Sequence, residues 1–156
     1  MAEQQICTFF LKGVYFGVDV QHVQEVIRPQ ATTPVPLAPP DIYGLINLRG
    51  QIITVIDLQR RLEMSEPQTQ STTKVLDEPQ GFNIIVCSEH EVVSLKVDYV
   101  GDVLEFAQNT FQPPPATLKG RMRQMLAGAY PLPEGFLLVL DAEKILDVNL
   151  TNPIIE

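Results

Sequence analysis

Apolar and polar residues alternate in short runs along the chain, and glycine- or proline-bearing turns separate the runs. Residues 6–11 and 14–18 flank Lys12-Gly13, which predicts a hairpin. Val20, Val23 and Ile27 follow at i, i+3 and i+7, predicting one or two helical turns that run into an extended segment stopped by Pro29. Residues 31–41, ATTPVPLAPPD, hold too many prolines for a ladder or a helix and read as an extended connector.

A second hairpin is predicted over 43–48 and 51–56, with Arg49-Gly50 as its two-residue loop. Ile52, Ile53, Val55 and Ile56 make its second strand apolar on both faces, hence central. Asp57 then stands where an N-cap belongs, ahead of a short helix over 58–62. Residues 63–80 are rich in Thr, Ser, Gln and Pro and carry little apolar pattern, so they read as a surface loop between two halves.

The second half repeats these signals. Residues 82–87 and 92–97 predict a hairpin, and Val97, Val100, Val103 and Leu104 reproduce Val20, Val23, Val26 and Ile27 at an offset of 77. Pro113-Pro114-Pro115 takes the place of the first connector, and residues 125–130 and 136–140 form another hairpin. Gly44 to Asp57 and Gly128 to Asp141 both span thirteen positions, an offset of 84, so Asp141 is a second expected cap. The expectation is an all-β chain of two pseudo-repeated β units with short helical segments, each unit closed into a small barrel that hides its edges. Subdomain 1 is expected at about 12–66 and subdomain 2 at about 81–150, the latter completed by the N-terminal strand 6–11.

Composition narrows the chemistry. The net charge is −8, with five acids balancing five bases over 1–62 and fourteen acids against six bases beyond, which disfavours a phosphate backbone as partner. Lys119, Arg121 and Arg123 read as a solvated basic face. No run approaches the roughly 20 apolar residues of a membrane-spanning helix, and MAEQQICTFF lacks signal-peptide grammar. Two cysteines, Cys7 and Cys87, make no disulfide framework and no CxxC pair, so a cytoplasmic location without membrane insertion is expected.

Catalytic signals are missing. His22 and His90 have no second ligand at metal spacing and read as ordinary exposed histidines, and no phosphate-binding glycine loop or nucleophile elbow is present. A phospho-acceptor role for Asp57 is opposed by Asp141 in the same place, where capping explains both. No catalytic residue, metal or cofactor is therefore expected. The residues point to a binding module; a barrel-type ligand or nucleic-acid module is the alternative.

The segments VYFGVDVQHVQEVIRPQ (14–30), TTPVPLAPPDIYGLINLRGQIITVIDLQRRL (32–62) and VVSLKVDYVGDVLEF (92–106) resemble the CheW family of chemotaxis coupling proteins. The likeness runs from about residue 6 to 146, and the proline connector leading through GLINLRG to VIDL is its most specific part. Thr54 departs from it, standing where the family usually has proline. The resemblance implies two five-stranded, SH3-like barrels around a common core and no catalytic activity. It also implies an adaptor between the cytoplasmic tip of methyl-accepting receptors and the regulatory domain of a CheA-type histidine kinase, recruited to receptor arrays for chemotaxis or type IV pilus motility. Arg49 and Glu25 match family positions near the receptor-binding surface, and Val23, Gly44, Phe82 and Val103 match positions near partner contacts. From the residues alone, Val103 reads as core.

Overall fold

The structure is a computed structural model that describes residues 3–64, 81–89 and 91–147. The expected connector over 63–80 lies mostly outside the described residues, as does His90. Among the described residues ten strands form in chain order: β1 (Glu3–Leu11), β2 (Val14–Asp19), β3 (Val23–Ile27), β4 (Ile42–Leu48), β5 (Gln51–Asp57), β6 (Phe82–Cys87), β7 (Val92–Val97), β8 (Tyr99–Ala107), β9 (Leu126–Leu132) and β10 (Gly135–Leu140). Three short helices accompany them: α1 (Leu58–Arg61), α2 (Gly120–Met125) and α3 (Ala142–Leu146).

The strands make two five-stranded sheets, ordered β8-β1-β2-β10-β9 and β3-β6-β7-β5-β4. Replacing β1 by β6, β2 by β7, β8 by β3, β9 by β4 and β10 by β5 turns the first order into the second. The repeat therefore holds at the level of topology, including one parallel pairing in each sheet, β2 with β10 and β7 with β5. The strand over 6–11 lies with β8, β9 and β10, but otherwise the sheets cut across the halves expected at about 12–66 and 81–150. The hairpin β6–β7 joins the sheet of β3, β4 and β5, and β1–β2 joins that of β8, β9 and β10. Each repeat thus gives its first hairpin to one barrel and its remaining strands to the other.

The core follows the same symmetry. At the offset of 77, Cys7 pairs with Ile84, Phe9 with Val86, Phe16 with Val93 and Val18 with Leu95, and all eight lie in one buried cluster shared by the two sheets. Phe9 and Phe16 are fully buried, each stabilising the fold by about 1.5–3 kcal/mol relative to exposure. At the offset of 84, Ile46, Ile53 and Val55 in one smaller cluster correspond to Tyr130, Leu137 and Val139 in another. Each barrel thus has a private core, and both lean on the common one.

Glycines set the seams. Thr33, in the first connector, exchanges backbone hydrogen bonds with Leu45 at 2.9 and 2.8 Å, and Gln112 does the same with Ala129 at 2.9 and 2.8 Å. A Cβ on Gly44 would lie 2.5 Å from the Thr33 carbonyl oxygen, and one on Gly128 would lie 2.5 Å from that of Gln112. Only glycine lets each connector approach this closely.

The expected caps form: the Asp57 carboxylate accepts from the Arg60 amide at 3.4 Å, and that of Asp141 accepts from Glu143 and Lys144 at 3.0 and 3.3 Å. The helical turns expected after residue 20 shrink to a single 3-10 turn, Val20–His22. Arg123 differs from the expected solvated basic face. Its guanidinium donates to the carbonyls of Pro114, Pro115 and Leu118 at 3.3, 2.7 and 3.4 Å and so holds the second proline connector.

Candidate functional site

The β4–β5 turn is built from Asn47 to Gly50. Arg49 has φ 53° and Gly50 φ 90°, so both central residues are left-handed, as a type I′ hairpin turn requires. The Asn47 side-chain oxygen accepts from the Gly50 amide at 2.9 Å and locks the loop. Glycine takes such a φ readily, but a residue with a Cβ loses about 1–2 kcal/mol. Lys12, in the β1–β2 turn, carries the same φ of 53°, so the strain by itself does not single out Arg49.

What singles it out is its partner. The Arg49 guanidinium donates to the Glu25 carboxylate. Glu25 lies on β3 and Arg49 between β4 and β5, and β3 and β4 are the two ends of the strand order. The ion pair thus links the two end strands of the sheet, which share no backbone ladder. Arg49 is 66% exposed at its side chain, so screening leaves the pair worth only about 0–1 kcal/mol to the fold. Among the described residues this is the one hydrogen bond of the Arg49 side chain, so most donors of its planar fork face outward. The matching places in the other barrel hold Asp102 and Pro133, which cannot form such a pair. Barrel closure therefore does not depend on it.

Four of the other expected site residues occupy distinct settings. Val23 and Phe82 are half-buried and pack against the common core, and Gly44 is buried under the first connector. Val23, Glu25, Gly44, Phe82 and Arg49 all belong to one sheet or its turn. Val103 does not. It sits on β8, at the edge of the other sheet, and is 54% exposed, which corrects its reading as core. An edge strand has one uncovered side, so an apolar residue there need not point inward.

His22 is half-buried, with Nδ1 3.2 Å from the Cys87 carbonyl oxygen. Burial pushes the Cys7 thiol up, as befits a small hydrophobe in the core. Among the described residues no three His, Cys, Asp or Glu side chains are grouped to hold a metal ion. Among them, too, no helix is long and apolar enough to cross a membrane.

Sequence reasoning missed a buried ion pair. Arg61 of α1 donates to Asp41 at 2.9 Å and to the Asp147 carbonyl at 3.0 Å, tying the first connector to the end of α3. Burial pushes the Arg61 guanidinium below its usual range, and the Asp41 carboxylate opposes that shift. The usable signal was the spacing of Leu58, Arg61 and Leu62, which places all three on one helical face.

The family of CheW-like domains matches residues 5–149. The chain belongs to the CheW family. It is 30% identical over 141 residues to the chemotaxis protein CheW of Treponema pallidum, covering 90% of this chain and 81% of that protein. The FrzA protein of Myxococcus xanthus is 29% identical over 102 residues, covering 65% of this chain and 64% of its own length. The crystal structure of the scaffolding protein TtCheW from Thermoanaerobacter tengcongensis superposes with a TM-score of 0.79 at 28% identity, covering 95% of both chains. Members of the CheW family are non-catalytic scaffold or adaptor proteins, and the two SH3-like barrels described above are the CheW fold. The protein is thus a chemotaxis coupling protein of the CheW family.

Proposed function

We propose that the protein joins the cytoplasmic tip of methyl-accepting chemoreceptors to the regulatory domain of a CheA-type histidine kinase, recruited from the cytoplasm to receptor arrays. The system served is swimming chemotaxis or type IV pilus motility. The observation that carries this reading is the Arg49–Glu25 pair, which is solvent-exposed and present in only one of two barrels of matching topology. A residue held in a strained turn without need from the fold is available for a partner.

Glu25 fixes the guanidinium at the rim of the barrel, and its outward N–H groups meet a carboxylate or carbonyl on the receptor helix. Half-buried Val23 and Phe82 offer apolar contact on the same barrel, while Gly44 lets the first connector pack closely against that sheet. Val103, exposed on the edge of the other barrel, serves a second partner face. Binding free energy then couples receptor state to kinase conformation without a covalent step.

The test is co-purification of a receptor tip and a kinase regulatory domain, each with and without this chain. A ternary complex that forms only in its presence supports the adaptor role. Failure of the chain to retain either partner would refute it.

A further inference from the structure

A cleft of about 450 Å3 opens on the barrel formed by β1, β2, β8, β9 and β10. Asp19, His22 and Asp141 give it a polar wall, and Tyr130 and Phe111 give it an aromatic one, their ring centroids 4.9 Å apart. Among the described residues, no lysine or arginine lines it. Both carboxylates are held by their surroundings: Asp19 accepts from the Gln4 side chain and the Gln21 amide, and Asp141 caps α3. Carrying the β2–β10 register, Leu138 opposite Phe16, on by three residues sets Asp141 opposite Asp19.

The other barrel shows what this arrangement is short of. Asp57 is the counterpart of Asp141 at the offset of 84, and Lys96 is the counterpart of Asp19 at the offset of 77. There Asp57 faces Lys96 across the parallel ladder, an acid opposite a base. The Lys96 ammonium lies 5.0 Å from the centre of the Tyr43 ring, and Tyr43 is the counterpart of Ala127 in the cleft. One barrel thus fills this place with its own lysine and ring. The other has two carboxylates, an alanine and open space. Burial and then the Asp19 charge push the Tyr130 phenol up, which places that aromatic wall within the field of the carboxylate.

We propose that the cleft binds an alkylammonium group, supplied by a lysine side chain of a partner protein. The cation meets two carboxylates and the Phe111 ring, in the place that Lys96, opposite Asp57 in register and 5.0 Å from the centre of the Tyr43 ring, fills in the matching barrel. The apolar stem lies along Phe111, which is 41% exposed. This proposal is independent of the receptor-coupling role, and its test needs no receptor or kinase.

The test titrates the 15N-labelled chain with Nα-acetyl-lysine methylamide, with 1,5-diaminopentane and with glutarate, following amide shifts. Saturable shifts at Asp19, His22, Ala127 and Asp141 with the capped lysine, and none with glutarate, are expected. Asp19→Asn keeps the oxygen that accepts from Gln21 but removes the charge, and should weaken binding at least tenfold. The double change Asp19→Lys with Ala127→Tyr rebuilds the Lys96–Tyr43 arrangement inside the cleft and should abolish binding. Absence of saturable shifts, equal shifts with glutarate, or unchanged affinity in Asp19→Asn would overturn the site. Binding of the diamine without the capped lysine would overturn the protein source.

Discussion

Arg61 donates to Asp41 at 2.9 Å in the interior, and at the offset of 84 the same two places are filled by Ile145 and Met125, both buried. One molecule thus solves a single packing problem twice, once with an ion pair and once with hydrocarbon. A buried pair recovers little beyond its desolvation cost, whereas a widowed partner leaves an uncompensated charge. In urea unfolding, Asp41→Ala should cost about 3–5 kcal/mol. The double variant Asp41→Met with Arg61→Ile should lose much less than that. It still forfeits the bond to the Asp147 carbonyl, so full neutrality is not expected.

Gly44 and Gly128 should respond alike to substitution. An added Cβ meets the Thr33 or Gln112 carbonyl at 2.5 Å, closer than contact permits. Gly44→Ala and Gly128→Ala should each destabilise the chain by about 1–3 kcal/mol. Hydrogen exchange would show the Leu45 amide losing protection in the first variant and the Ala129 amide in the second.

Asp57→Ala and Asp141→Ala should each cost about 1 kcal/mol through loss of a helix cap. Asp141 satisfies two amides and Asp57 one, so thermal melting should show the larger loss at Asp141.

Cys7 is 5% exposed with its thiol pushed up by burial, while Cys87 is half-buried. Native protein treated with a thiol-specific reagent should release the Cys7 signal only at the rate of unfolding. Fast labelling of both cysteines would contradict the packing of β1.

The legible parts of this fold are those with short-range causes. Lys12-Gly13 and Arg49-Gly50 specify their turns locally, and Asp57 and Asp141 cap the next few amides. Sheet membership is different. The pairing of β2 with β10, and of β7 with β5, joins strands through parallel ladders that leave no turn signal, so beyond the strand over 6–11 the exchange of hairpins between barrels was not legible. Helix α2 has Lys119 at its N-cap with no capping side-chain bond, which deprives it of its usual mark. Val103 shares its apolar character with core valines, and only its place on an edge strand exposes it. Arg49 was legible as a site candidate because its turn needed a glycine but not a cation. Its bond to Glu25 spans 24 residues and two sheet ends, and the resemblance to the CheW family brought the two residues together.

The most direct test of the partner role of Arg49 and Glu25 compares affinity with stability in one double variant. Arg49→Ala with Glu25→Ala removes an exposed pair, so its unfolding free energy should stay within about 1 kcal/mol of the parent. Its affinity for a receptor-tip fragment, measured by calorimetric titration, should fall at least tenfold. Unchanged affinity in a folded double variant would contradict the account.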